Sequence, residues 1–126
     1  MVIDYLRLHH VQICIPTGKE EKAKQFYIET LGFVEIEKPE ALKKNGGFWL
    51  KGANIELHIG TEDTIVPGKR HPAFEINNLN EVRAYLEKRD IAIQEETPIE
   101  GFQRFSFFDP FCNRIEFISR IAKPDS

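Results

Sequence analysis

From Leu8 to Ile15 the chain alternates, with Val11, Ile13 and Ile15 on one side and His10, Gln12 and Cys14 on the other. Successive strand side chains point to opposite faces, so this stretch predicts a strand with its apolar face in the core. Thr17-Gly18-Lys19-Glu20 has capping-box spacing, and Ala23, Phe26, Tyr27 and Leu31 follow at helical intervals. Gly32 is placed to end that helix in a left-handed conformation. Phe33–Glu37 predicts a short strand and residues 38–45 a polar connection. Gly47–Lys51 and Ile55–Ile59 predict two strands joined by a tight turn at Gly52-Ala53-Asn54.

The second half repeats the plan. His71–Ile76 predicts a strand, Asn78 a helix cap, and Leu79, Val82 and Leu86 the inner face of a helix. Ile91–Gln94 predicts a strand, Gly101 opens another, and Phe105–Phe108 is set to pair with Arg114–Ser119 across the turn DPFCN. Each half therefore reads β-α-β-β-β, over residues of about 8–60 and 70–120, linked by Gly60–Lys69. The fold class is α+β, with both repeats in one domain spanning 1–126.

Composition narrows the function. The 126 residues are 41% hydrophobic and 29% charged, as in an ordinary globular protein, and the ten Phe fall mostly in strand-like runs. A net charge of -3 gives no basic footprint for nucleic acid. Cys14 and Cys112 lack CxxC spacing, so neither a disulfide framework nor a thiolate zinc site is indicated. With no signal-like start and no long apolar run, the expectation is a cytoplasmic protein that does not engage the membrane.

The same strand parity selects candidate chemistry. His10, His71, Glu56, His58 and Glu116 all fall on strand faces opposite the apolar, helix-facing residues. The two His and the two Glu recur about sixty positions apart, at matching places in the repeat. If the two sheets curve toward one another, imidazoles and carboxylates converge as donors for a divalent cation with positions left open for substrate. His9 has the opposite parity and reads as structural. Gln12 is a candidate to orient ligand or substrate, Arg104 and Arg114 to hold an anionic substrate group, and Phe48, Trp49, Phe102 and Phe108 to wall a pocket. Each of these also has a plain surface or packing role available.

Five segments, LHHVQICIP, FYIETLGF, NIELHIG, HPAFEI and FFDPFCNRIEF, resemble in order the motifs of the glyoxalase, bleomycin-resistance and extradiol-dioxygenase superfamily, the vicinal oxygen chelate proteins. The resemblance spans residues 8–119. It implies paired βαβββ units whose curved mixed sheets enclose a cleft, with helices outside and metal ligands on the first and last strand of each unit. By position these ligands are His10, Glu56, His71 and Glu116, with His58 as an alternative to Glu56. The implied cofactor is a divalent ion (Zn, Ni, Mn, Co or Fe(II)), and the implied activity is bidentate chelation of a small oxygen-rich substrate. Glu56 or Glu116 is the candidate base, and a glyoxalase-like lyase or isomerase is favoured over an extradiol dioxygenase. The alternative is a non-catalytic drug- or antibiotic-binding protein, and a homodimer is implied either way. Two positions depart from the family pattern. Cys112 stands where the turn usually carries Gly, which suggests another turn conformation, and Asp90 stands where a helix-ending Gly is common.

Overall fold

The alternation around His10 becomes strand β1 (His10–Pro16), which begins two residues later than predicted. The structure is a computed structural model that describes residues 1–121, so the last five residues of the expected domain lie outside the described residues. The chain divides into two units, residues 1–65 and 66–126.

In the first unit β1 leads into helix α1 (Glu20–Lys24), which continues as a π-helical segment, Gln25–Thr30. Strand β2 (Val34–Ile36), a 3-10 helix (Glu40–Asn45), β3 (Phe48–Gly52) and β4 (Ile55–Glu62) follow. The sheet order is β1-β4-β3-β2, with β1 parallel to β4 and the other pairs antiparallel. The predicted capping box does not form. The β1–β4 ladder runs to Pro16 and Glu62, and Thr17 N donates to Glu62 O, which keeps Thr17 at the end of the sheet. Its hydroxyl therefore donates to Asp63 at 3.0 Å, and Lys19 becomes the N-cap without a side-chain bond. The polar connection at 38–45 is ordered as the 3-10 helix, supported by a Lys43–Glu40 ion pair at 2.8 Å.

Two glycines decide local geometry. Gly32 takes a φ of 82°, and the bonds Gly32 N to Ile28 O and Phe33 N to Tyr27 O close the helix as predicted. Gly47, at a φ of 76°, lies so close to β4 that a Cβ there would stand 2.0 Å from Ile59 O. Only glycine admits that approach.

The second unit runs β5 (Ala73–Glu75), α2 (Leu79–Glu87), β6 (Gln94–Glu95), β7 (Phe102–Phe108) and β8 (Arg114–Arg120). Its order, β5-β8-β7-β6 with β5 parallel to β8, repeats that of the first sheet. His71 precedes β5 instead of opening it, yet Glu116 N donates to Pro72 O at 3.0 Å, so the segment still follows β8. Ile91 N is taken by Leu86 O at the end of α2, and the strand expected at 91–94 starts only at Gln94. Asn78 is the N-cap of α2, as predicted.

Cys112 does not give the β7–β8 turn another conformation. It adopts the left-handed φ of 70° itself, as Asp90 does at 60°. Asp109 imposes this, with Oδ1 accepting from Phe111 N and Asn113 N, both at 2.8 Å, and Oδ2 accepting from Asn113 Nδ2 at 2.9 Å. Hydrogen bonds to a charged acceptor, at about 1.5–3 kcal/mol each, outweigh the roughly 1–2 kcal/mol of left-handed strain.

Each unit buries one set of alternating strand residues together with helix residues. In the first unit Ile13, Ile15, Leu50, Leu57 and Ile59 are buried, as are Ala23, Phe26 and Tyr27, and in the second Phe74, Phe105, Ile115 and Phe117, with Leu79 and Leu86. Phe117 is the hub of the second core, 5.0 Å from the Phe107 ring and 6.0 Å from the Phe105 ring. Alternation sends the intervening residues to the opposite face, where the polar candidates lie.

Candidate metal centre

On the non-helix face of the first sheet, His10 and Glu56 are register partners on the parallel strands β1 and β4. His58, two residues along β4, stands opposite Trp49 of β3. The imidazole of His58 lies between two rings, 4.0 Å from His10 at an interplanar angle of 14° and 3.9 Å from Trp49 at 8°. It is buried, and its Nε2 meets Glu56 Oε1 at 3.1 Å. Burial pushes the His58 imidazole pKa down, opposed by this bond, while the bond from His58 is the main cause holding Glu56 below the usual carboxylate range. His10 and His9 approach one another at 3.0 Å between their Nδ1 atoms. The Cys14 thiol pKa is pushed up, first by burial and then by Glu62, which disfavours the thiolate.

In the second unit Glu116 is buried on β8, flanked by its register partners Ala73 and Ser106. Its Oε1 meets His71 Nε2 and Arg104 Nη1, each at 3.1 Å. The other ring nitrogen of His71, Nδ1, lies 2.7 Å from Lys69 O. A carbonyl oxygen only accepts, so Nδ1 carries the proton and Nε2 of the neutral ring presents a lone pair. That lone pair faces a carboxylate oxygen, another acceptor. Two acceptors at 3.1 Å call for a cation between them, either a proton or a metal ion. The separation is about that of neighbouring ligands on one divalent ion, whose bonds to N and O run about 2.0–2.2 Å. A backbone carbonyl fixing Nδ1–H is also the usual support of a metal-binding imidazole. This pair supplies two donors of the kinds that a divalent ion takes.

Beside Glu116 lies a carboxylate that sequence reading missed. Glu96 Oε1 accepts from Ser106 Oγ and pairs with Arg114 Nη2, while Arg114 Nε is buried without a hydrogen-bond partner. Glu96 alternates with Gln94, which pairs with Ser106 across β6–β7, so strand parity carried to residue 96 was the available signal. The Ser106 hydroxyl and then Arg114 hold its carboxyl below the ordinary glutamate range. The folded state therefore gains stability from Glu96 above the unfolded pKa of about 4.3 and loses it as pH falls through the lower folded value. Glu96→Gln should cost about 1 kcal/mol at pH 7, and urea melts should show the difference from the parent shrinking below about pH 4.

The structure thus brings His71 to Glu116 and Glu56 to His58, and sets His10 in register with Glu56. Among the described residues no group of three or more His, Cys, Asp or Glu side chains is placed to hold a metal ion. Arg104 is committed to Glu116 and to Thr97 O, and Arg114 to Glu96.

Comparison with known proteins agrees with this architecture. The chain is 43% identical to a glyoxalase family protein from Bacillus anthracis whose crystal structure superposes with a TM-score of 0.89, covering 96% of this chain and all of that one. It is 31% identical over 130 residues to "Glyoxylase I 4" of Arabidopsis thaliana, covering 93% of this chain and 72% of that protein. TnmS3, an antibiotic binding protein from Streptomyces sp. CB03234, shares the fold at a TM-score of 0.71 and 24% identity, covering 94% of this chain and all of TnmS3. A family model matches residues 7–117, and with the repeated βαβββ units it shows that the chain belongs to the Glyoxalase/Bleomycin resistance protein/Dioxygenase superfamily.

Proposed function

We propose that this protein is a metal-dependent enzyme that holds a small oxygen-rich substrate through two of its oxygens at a divalent ion. The ligands it would use are His10 and Glu56 in the first unit and His71 and Glu116 in the second. The observation that carries this reading is the setting of His71, with Nδ1 2.7 Å from Lys69 O and Nε2 3.1 Å from Glu116 Oε1. Mixed imidazole and carboxylate donors suit Zn, Ni, Mn, Co or Fe(II). When bound, such an ion supplies a Lewis acid that stabilises developing enolate or alkoxide charge.

The chain's own residues divide the remaining work. Glu116, with its side chain 6% exposed and Oε1 held by Arg104, keeps a fixed anionic position. Glu56 is 28% exposed and takes one hydrogen bond, from His58, which leaves it the more mobile carboxylate and the better placed to carry a substrate proton. Two His with two Glu and the likeness to "Glyoxylase I 4" favour a glyoxalase-like isomerisation over ring cleavage. A homodimer belongs to the same reading, since sheet edges are rarely left bare.

Metal analysis of protein purified without chelator or affinity tag tests the proposal. About one divalent ion per chain is expected. Absence of metal after incubation with each of the five ions would overturn it and leave a small-molecule binding protein.

A further inference from the structure

The geometry points to His58 as a positioning residue that aims the Glu56 carboxylate, and not as a metal ligand. This inference rests on the reading of His10 and Glu56 as ligands.

The ring stack excludes shared ligation. An imidazole nitrogen binds a metal along its lone pair, in the plane of the ring, at about 2.0–2.1 Å. The His10 and His58 rings lie nearly parallel, at 14°, with centroids 4.0 Å apart. Their planes run side by side, so no single ion can lie in both. If His10 is a ligand, His58 is not.

What remains for His58 is its bond to Glu56. The carboxylate only accepts, so His58 Nε2 donates to Oε1 at 3.1 Å, leaving Oε2 for another partner. His10 and Trp49 come from the two strands that flank β4, so they clamp the imidazole from opposite sides. The clamp holds the Nε2 direction, and through it the carboxylate plane. Arg104 does the corresponding work in the second unit by donating to Glu116 Oε1. The donor arises differently there because Ile118 takes the place of His58, two residues beyond the glutamate, and Arg104 that of Trp49.

Two substitutions separate the donor from the stack. His58→Phe keeps a flat ring between His10 and Trp49 and removes the N–H, whereas His58→Gln keeps an N–H donor and loses the ring. Cobalt(II) titrated in competition with a chromogenic chelator would read the affinity, the visible cobalt spectrum the coordination, and thermal melts the fold. The expected result is a loss of about 10–100-fold for His58→Phe, with the cobalt spectrum and stoichiometry unchanged, and recovery to within a few-fold of the parent for His58→Gln. Parental affinity in a folded His58→Phe, a changed cobalt spectrum in it, or no recovery in His58→Gln would overturn the proposal while leaving the metal reading intact. If His58→Phe does not fold, His58→Gln alone decides, because a tenfold loss there also overturns it. Failure of the parent protein to bind cobalt would instead overturn both readings.

Discussion

Glu116→Gln should lower divalent-metal affinity by more than about 100-fold, beyond the 10–100-fold typical of removing a residue that only supports a ligand. The substitution keeps the shape of the side chain and one acceptor oxygen, so packing on β8 is preserved and the charge is what is lost. Glu116 is 4% exposed, and its Oε1 is the meeting point of His71 Nε2 and Arg104 Nη1. A neutral amide there leaves the Arg104 guanidinium, itself 18% exposed, without its counter-charge. Metal-free Glu116→Gln should therefore also be less stable, by about 1–2 kcal/mol, the difference between charged and neutral hydrogen bonds. Calorimetric metal titration and urea melts on the same preparation would check both effects. Unchanged metal affinity in the variant would remove Glu116 from the ligand set.

The largest stability effect is expected at Asp109. Asp109→Ala should cost about 3 kcal/mol in urea unfolding, with the dependence on denaturant unchanged. The residue is 5% exposed, and its carboxylate takes the N–H groups of Phe111 and Asn113 together with the Asn113 amide. Alanine leaves those two backbone donors without their acceptor in a turn already strained by the left-handed Cys112. Asp109→Asn keeps one acceptor oxygen and should lose about half as much. The consequence extends to the site, because this turn fixes the β7–β8 register that sets Ser106 opposite Glu116 and Arg104 opposite Ile118. A loss below about 1 kcal/mol for Asp109→Ala would mean that the turn is held by its neighbours.

Much of this protein could be read from local pattern. Strand-like runs and their turns placed β1, β3, β4, β7 and β8, and alternation assigned His10, Glu56, His58 and Glu116 to the faces away from the helices, because side-chain direction on a strand depends only on parity. The repeat gave the order β-α-β-β-β twice, and the motif series gave the superfamily. Errors arose where a side-chain or ladder contact, distant or near in sequence, overrode a local preference. Thr17 had the spacing of a cap, but the β1–β4 ladder drew it to Asp63, 46 residues away. Cys112 lacked the freedom of glycine, but Asp109 held the turn in the left-handed form nonetheless.

What only the tertiary structure decided is the partner of each polar side chain. Parity places a residue on a face but does not say which neighbour its atoms meet, since that depends on strand register, ring orientation and reach. So the sequence by itself determined that the chain carries two βαβββ repeats with histidines and carboxylates on their non-helix faces. The tertiary structure decided that His71 presents Nε2 to Glu116, that Arg104 shares that carboxylate, that Glu96 pairs with Arg114, and that His58 lies stacked between His10 and Trp49. Each of these contacts joins neighbouring strands or a strand and a loop, and their geometry exists only once the sheets have formed.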